Sequence, residues 1–371
     1  MKNGATTEQL DQGRRPISWV LIAAAMVVIL AGLKAARPLL VPFLLAVFLS
    51  MLAVPAVLWL RRRRVPTWAA VTIVVVGLMV VVAVVVLLVG SSVADLRRAV
   101  PRYESRFKVL AAQATVWLDG HGIAVSQKRI LSVVDPGAVM NLVGGTLMGL
   151  ASALSNTVLV LLVVVFILAE AAEFPGKLRA AIGDPDADLS HFQKMVDDVK
   201  RYLVYKTLLS LATGVTVGLW VWILGVDFPL LWGLLAFLLN YIPNIGSILA
   251  AVPPVLVALL QLGVGRSLAV AAGFVAVNMV LGNVVEPVVM GRRLGLSNLV
   301  VFASLVFWGW LWGPVGMLLS VPLTMVAKLG MEHSDRYRWV AILLDSKGAA
   351  PDSGKGGLGE AKAKQEEAKA K

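Results

Sequence analysis

Apolar residues in this chain come in long unbroken runs, not in the alternating or one-faced patterns of a water-soluble core. Residues 67–90, TWAAVTIVVVGLMVVVAVVVLLVG, carry no charge over 24 positions. As helix such a run extends about 36 Å, enough to cross a hydrocarbon layer of about 30 Å with some tilt. Runs of this kind recur, and they predict spans at 17–33, 38–60, 67–90, 138–172, 207–225, 230–262, 268–290 and 297–327. A membrane barrel needs strands of about ten residues with alternating faces, which are not seen here. Valine-rich runs are no obstacle to helix in lipid, because a helix satisfies its own backbone hydrogen bonds. The pattern therefore predicts an all-α, polytopic membrane protein of about eight transmembrane segments. The first run follows Arg14 and Arg15 without a small-residue cleavage site before the next, and is read as an uncleaved span.

The polar stretches divide the chain further. Residues 1–90 hold three amino-terminal spans, and 91–137 form the largest polar excursion. Arg97, Arg98, Arg102, Arg106 and Lys108 stand there beside Val100, Phe107, Leu110 and Trp117, predicting an amphipathic helix on the membrane or against a neighbour. Residues 138–172 read as one long span. Residues 173–206 open with FPGKLRAAIGDPDAD and turn helical from Leu189, a cytoplasmic stretch with a solvated charged face. The remaining spans occupy 207–327. A cytoplasmic tail follows at 328–371, of low complexity and read as disordered from Ser346.

Composition agrees and adds orientation. The chain is 58% hydrophobic and 15% charged, with a mean hydropathy of +0.83. Its net charge of +12 is concentrated in short connections such as Arg61, Arg62, Arg63 and Arg64. That placement serves topology, not nucleic-acid binding. With eight alternating crossings and the amino terminus inside, 23 Lys and Arg fall inside and 11 outside. Both termini, the RRRR loop and 173–206 then face the cytoplasm. Cysteine is absent, and His121, His191 and His333 lack ligand-like spacing, so no metal site is expected. No phosphate loop, nucleophile triad or paired catalytic carboxylates occur, which leaves no catalytic residue, cofactor or ATP-driven step to assign.

Two spans are too long. Residues 230–262 and 297–327 number 33 and 31, about 50 and 46 Å as straight helix. Both are interrupted, by Pro243, Asn244 and Gly246 in NYIPNIGS and by Gly309, Gly313, Pro314 and Gly316 in WGWLWGPVG. Proline removes a backbone donor, and backbone freed at membrane depth is tolerated only inside protein or beside a water-filled cavity. The interruptions are thus candidate substrate or ion positions. Kinked spans and re-entrant hairpins both fit, since hairpins at both places change the charge count only to 24 against 10.

Between the breaks lies NMVLGNVVEPVVMGRRLGLS, where Asn278, Asn283 and Glu286 interrupt an apolar run. A carboxylate at depth is costly, which makes Glu286 the leading candidate for a proton- or cation-linked role; the plainer reading pairs it with Arg292 or Arg293 at the interface. Asn240, Asn244 and Ser247 are candidate neutral ligands. Thr207, Ser210, Thr213 and Thr216 recur along one span, where hydroxyls ordinarily bond the preceding turn. Trp308, Trp310 and Trp312 suit interfacial anchoring or a gate.

The stretches PFLLAVFLSMLAVPAVLWLRRRRVPTWAA (42–70), FLLNYIPNIGSILAAVPPVLVALLQ (237–261) and GNVVEPVVMGRRLGLSNLVVFASLVFWGWLWGPVGMLLSVPLTMVAK (282–328) resemble the autoinducer-2 exporter family, also described as PerM-like permeases. The resemblance is strongest in the carboxyl-terminal third. It implies about eight membrane segments, a bacterial inner-membrane location, secondary transport and a homo-oligomer. The family's proline-glycine motif falls on Pro243 and Gly246, and its asparagine and proline before the basic loop on Asn283 and Pro287. It implies export of a furanosyl signalling molecule or exchange of sodium or lithium for protons. The expected partners are the lipid bilayer and a small polar solute or monovalent cation. Three functions follow: a small-solute exporter, a cation/proton antiporter, and a non-transporting membrane scaffold.

Overall fold

A computed structural model of the chain describes residues 14–121, 157–170, 174–182, 190–243, 245–290, 296–332 and 338–344. Every regular element among them is helical. The helices are α1 (Arg14–Ala35), α2 (Arg37–Arg62), α3 (Thr67–Gly120), α4 (Thr157–Glu170), α5 (Phe174–Ile182), α6 (Ser190–Ile223), α7 (Pro229–Leu239), α8 (Ile245–Leu262) and α9 (Val264–Val277). A π-helical run, Asn278–Val285, joins α9 to α10 (Glu286–Met290), and α11 (Asn298–Trp312), α12 (Pro314–Glu332) and α13 (Arg338–Leu344) follow. Among the described residues six helical stretches are long and apolar enough to cross a membrane, in α2, α3, α6, α8, α9–α10 and α12. The polytopic all-α class predicted from the runs is the one observed.

Two expected boundaries fall inside helices. The third span does not stop at residue 90, because α3 runs on for 54 residues to Gly120. Nothing between the apolar run and the amphipathic one breaks the helix, and Leu96 and Tyr103 of the polar part are buried in the same core as Val89. The excursion therefore stands against a neighbour as far as Leu110. Likewise the stretch ending at 206 and the span beginning at 207 are one helix, α6, of 34 residues. The rest of the excursion, the first half of the 138–172 span and the tail from residue 345 lie outside the described residues.

Both overlong segments are helical hairpins. In the first, α7 and α8 run antiparallel: the amide of Asp227, before α7, donates to Oε1 of Gln261, near the end of α8, at 2.9 Å. At the tip, Gly246 lies so close to α7 that an added Cβ would sit 1.8 Å from the Leu239 carbonyl oxygen. In the second, Trp308 of α11 donates from Nε1 to Thr324 Oγ1 of α12 at 3.0 Å. A Cβ on Gly316 would meet the Trp308 carbonyl oxygen at 2.0 Å. The two tips are built alike, with a glycine in the first turn of the outgoing helix seated on the last turn of the incoming one. The 11 residues of α7 extend only about 16 Å, so one arm of the first hairpin is too short to cross a membrane, while the other, α8, has 18 residues.

The hairpins make contact with opposite parts of the frame. Asp227, at the base of the first, takes Arg102 Nη2 at 3.0 Å and the Tyr103 hydroxyl at 2.8 Å on Oδ2, while Gln261 Nε2 donates to Oδ1 at 3.0 Å. Burial, and then the neighbouring Asp227 carboxylate, push the Tyr103 hydroxyl above its ordinary pKa and keep it a donor. The span Thr67–Leu96 separates Arg102 from the RRRR loop, so the 224–228 turn and Arg266 lie on the opposite side from that loop. This excludes a single crossing by 230–262. The tip of the second hairpin meets the α1–α2 corner, where Trp312 Nε1 donates to the Leu33 carbonyl at 3.2 Å and Lys34 stands 4.5 Å over the Trp310 ring. The tryptophan cluster thus joins the second hairpin to the first two helices.

Candidate functional site

The tip of the first hairpin, α6 and the π-helical run enclose a polar cavity of about 100 Å³. It is lined by Lys206 from α6, Asn240, Ile242, Pro243 and Ser247 from the tip, and Asn278, Gly282, Asn283 and Glu286 from the π-helical run and the start of α10. Lys206 lies 17 residues before the end of α6, about 25 Å along it. The cavity is therefore remote from the α3 extension. Between them lies a hydrophobic core in which Trp232, Val221, Val257, Ala258 and Val270 are fully buried.

Each wall has a local cause. The break at Asn240–Pro243 ends α7 because proline cannot continue its hydrogen-bond ladder, and the tip is then tied to α6. Asn240 Nδ2 donates to Ser210 Oγ at 3.0 Å, and the Tyr241 hydroxyl donates to Thr207 Oγ1 at 2.7 Å. Thr207 and Thr213 donate to carbonyls one turn earlier, Leu203 and Leu209. The hydroxyls of this span thus serve the helix, and two of them, Thr207 and Ser210, also receive the tip.

The opposite wall depends on helix register. In an α-helix the fifth residue along lies about 140° away around the axis. A π-helix, bonding i to i+5, has more residues per turn and returns that position toward the same face. Asn278 and Asn283 are five apart, and the π-helical run lets both border the cavity with Glu286 beyond. Gly282 lies between, where a Cβ would stand 3.0 Å from Asn278 Oδ1.

Lys206 Nζ is 2.7 Å from Glu286 Oε1, and their side chains are 4% and 25% exposed. A buried ammonium of this kind is costly unless paired. Glu286 supplies the partner, 80 residues away in sequence. In the structure Glu286 pairs with Lys206; Arg292 and Arg293, the partners expected at the interface, lie outside the described residues. Lys206 was missed because it was assigned to the cytoplasmic stretch before 207. Its signal was present: after Arg201, α6 reads YLVYKTLLSLATGVTVGLWVWI, with Lys206 as the one charge.

Of the residues singled out from sequence, Asn240, Pro243, Ser247, Asn278, Asn283 and Glu286 converge on the cavity. Gly246 is beside it and closes the hairpin. Pro287 is exposed next to Glu286. Gly313 and Pro314 do not join the site. They form the other tip, where a Cβ on Gly313 would meet Arg37 Nη2 at 2.8 Å. The two breaks are separate devices because the second hairpin carries its tip to the α1–α2 corner. Asn244 lies outside the described residues.

Membrane-crossing helices, a helical hairpin inserted among them and a polar cavity at its tip define a polytopic transport-type membrane protein. Residues 23–336 match the AI-2E family transporter profile, and the chain belongs to that family. It is 41% identical over 325 residues to the AI-2 transport protein TqsA of Escherichia coli K12, covering 88% of this chain and 94% of that protein. It is also 41% identical over 327 residues to a putative transport protein of Haemophilus influenzae, covering 86% and 94%. Similarity extends to the putative transport protein YrrI of Bacillus subtilis, 27% identical over 319 residues with 81% and 88% covered. The family resemblance carried by the 42–70, 237–261 and 282–328 stretches is thereby established.

Proposed function

We propose that this transporter exports a small polar solute of the autoinducer-2 type by alternating access, with the cavity at the first hairpin tip as its binding site. The polar cavity at membrane depth carries the reading: three amides, a hydroxyl and one ion pair converge in a space otherwise bounded by apolar helices. Such groups hydrogen-bond a hydroxyl-rich solute. The similarity to an AI-2 transport protein supports the same substrate class. The hydrophobic core around Trp232 and Val257 closes the route from the cavity toward the α3 extension. Access from that side therefore requires the first hairpin to shift against α6 and α9.

The location proposed is the bacterial inner membrane, as a homo-oligomer in the lipid bilayer. Both termini and the RRRR loop are placed in the cytoplasm by the distribution of Lys and Arg, which sets Arg266 and the α3 extension outside.

The test is efflux of autoinducer-2 from liposomes containing the purified protein. Flux above protein-free liposomes is expected, with Asn278→Ala and Asn283→Ala each lowering it by roughly tenfold through a lost hydrogen bond of about 1–1.5 kcal/mol. Absence of flux from folded protein for autoinducer-2 and for a panel of other solutes would favour the scaffold reading.

A further inference from the structure

We infer that Lys206 is a specificity-determining residue: by neutralising Glu286 inside the cavity it makes the site select uncharged, hydroxyl-bearing solutes and reject both cations and anions. The inference rests on the reading of the cavity as the solute site and deepens it. Lys206 and Glu286 are the charged groups lining the cavity among the described residues, and they are in contact at 2.7 Å. The rest of the polar lining, Asn240, Ser247, Asn278 and Asn283, is neutral and both donates and accepts.

A monovalent cation entering this space meets neutral amide and hydroxyl oxygens, and the one anionic ligand it could take to balance its charge is the Glu286 carboxylate. To reach it the cation must displace an ammonium that is 4% exposed and has Glu286 as its ion-pair partner. The result is two positive charges beside one negative in a space of about 100 Å³. An anion meets the mirror problem, since taking Lys206 leaves Glu286 uncompensated. Removing the partner of a buried ion is severe, on the order of a hundredfold or more in an equilibrium. A neutral polyol bonds the amides and the hydroxyl while the pair stays closed, and meets no such penalty. The carboxylate that looked from sequence like a cation site is thereby converted into half of a neutral wall.

The site's own wild-type selectivity is the first measurement. Liposomes holding the wild-type protein are assayed for flux of glycerol and erythritol, of radioactive sodium, and of lactate. Polyol flux is expected to exceed sodium and lactate flux by on the order of a hundredfold. It should be insensitive to an imposed membrane potential and uncompeted by excess sodium or lactate. Lys206→Gln leaves a net negative cavity and should raise the sodium-to-polyol ratio by at least about tenfold, whereas Glu286→Gln should raise the lactate-to-polyol ratio similarly.

Sodium competing with polyol in the wild type overturns the inference, as do unaltered ratios in folded variants. Should either variant fail to fold, the competition and potential measurements on the wild type decide alone. Polyol flux that sodium inhibits sinks the charge filter and leaves the solute transporter standing. No flux of any probe sinks the transport reading itself.

Discussion

Among the described residues, the glycines seated most tightly against backbone are those at the two hairpin tips. A Cβ at Gly246 would sit 1.8 Å from the Leu239 carbonyl oxygen, and one at Gly316 2.0 Å from that of Trp308. Both obstacles are backbone, which cannot swing aside as a flexible side chain does. Gly246→Ala and Gly316→Ala are therefore each expected to destabilise by roughly 1–3 kcal/mol, read as a lower unfolding temperature in detergent. Gly77→Ala is the control: its Cβ meets nothing within 4 Å. There the change should be neutral or stabilising by up to about 1 kcal/mol, since alanine holds a helix better than glycine. Equal losses at Gly77 and Gly246 would contradict the tip geometry.

At the scale of elements, the π-helical run is the unusual piece. A π-helix of eight residues, Asn278–Val285, is long for a conformation ordinarily confined to single turns and often associated with functional sites. Its register directs the asparagines and Glu286 to one wall. Deleting Val280, whose side chain is 55% exposed, removes one residue from the wide turns and should restore α-helix through the run. Transport is expected to fall below detection while the unfolding temperature is maintained or rises. Retained flux in the deletion variant would show that the π register is dispensable. The hairpin tip is secured from the other side by the Asn240–Ser210 bond of 3.0 Å. Ser210→Ala should cost about 0.5–1.5 kcal/mol.

Across the whole molecule, the 54-residue α3 acts as a strut that reaches past the membrane and holds the base of the first hairpin. Asp227 is the joint, bonded to Arg102, Tyr103 and Gln261. Asp227→Ala leaves the hydroxyl of Tyr103, a buried residue, without this acceptor. Roughly 1–3 kcal/mol of stability should be lost, with faster hydrogen exchange at the base of α7. The fold also fixes relative sidedness. The chain is free of cysteine, so single Arg62→Cys and Arg266→Cys variants should react with impermeant reagents from opposite faces. Labelling of both from the same face would contradict the antiparallel hairpin.

The solvent of this protein was legible in its sequence, because charge-free runs of membrane-spanning length are a property of the chain read one residue after another. So were the two breaks and the polar candidates Asn240, Ser247, Asn278, Asn283 and Glu286, since proline, glycine and amides are conspicuous among aliphatic residues. Helix ends at residues 90 and 206 were misplaced for the same reason, as hydropathy changes there and the hydrogen-bond ladder does not. Tertiary structure alone decided that the first overlong segment doubles back, that its tip and the second lie apart, and that Lys206 faces Glu286. Pairing across 80 residues leaves no trace in local pattern: a lysine at the head of an apolar run looks like a membrane boundary until the helix packed against it supplies a carboxylate.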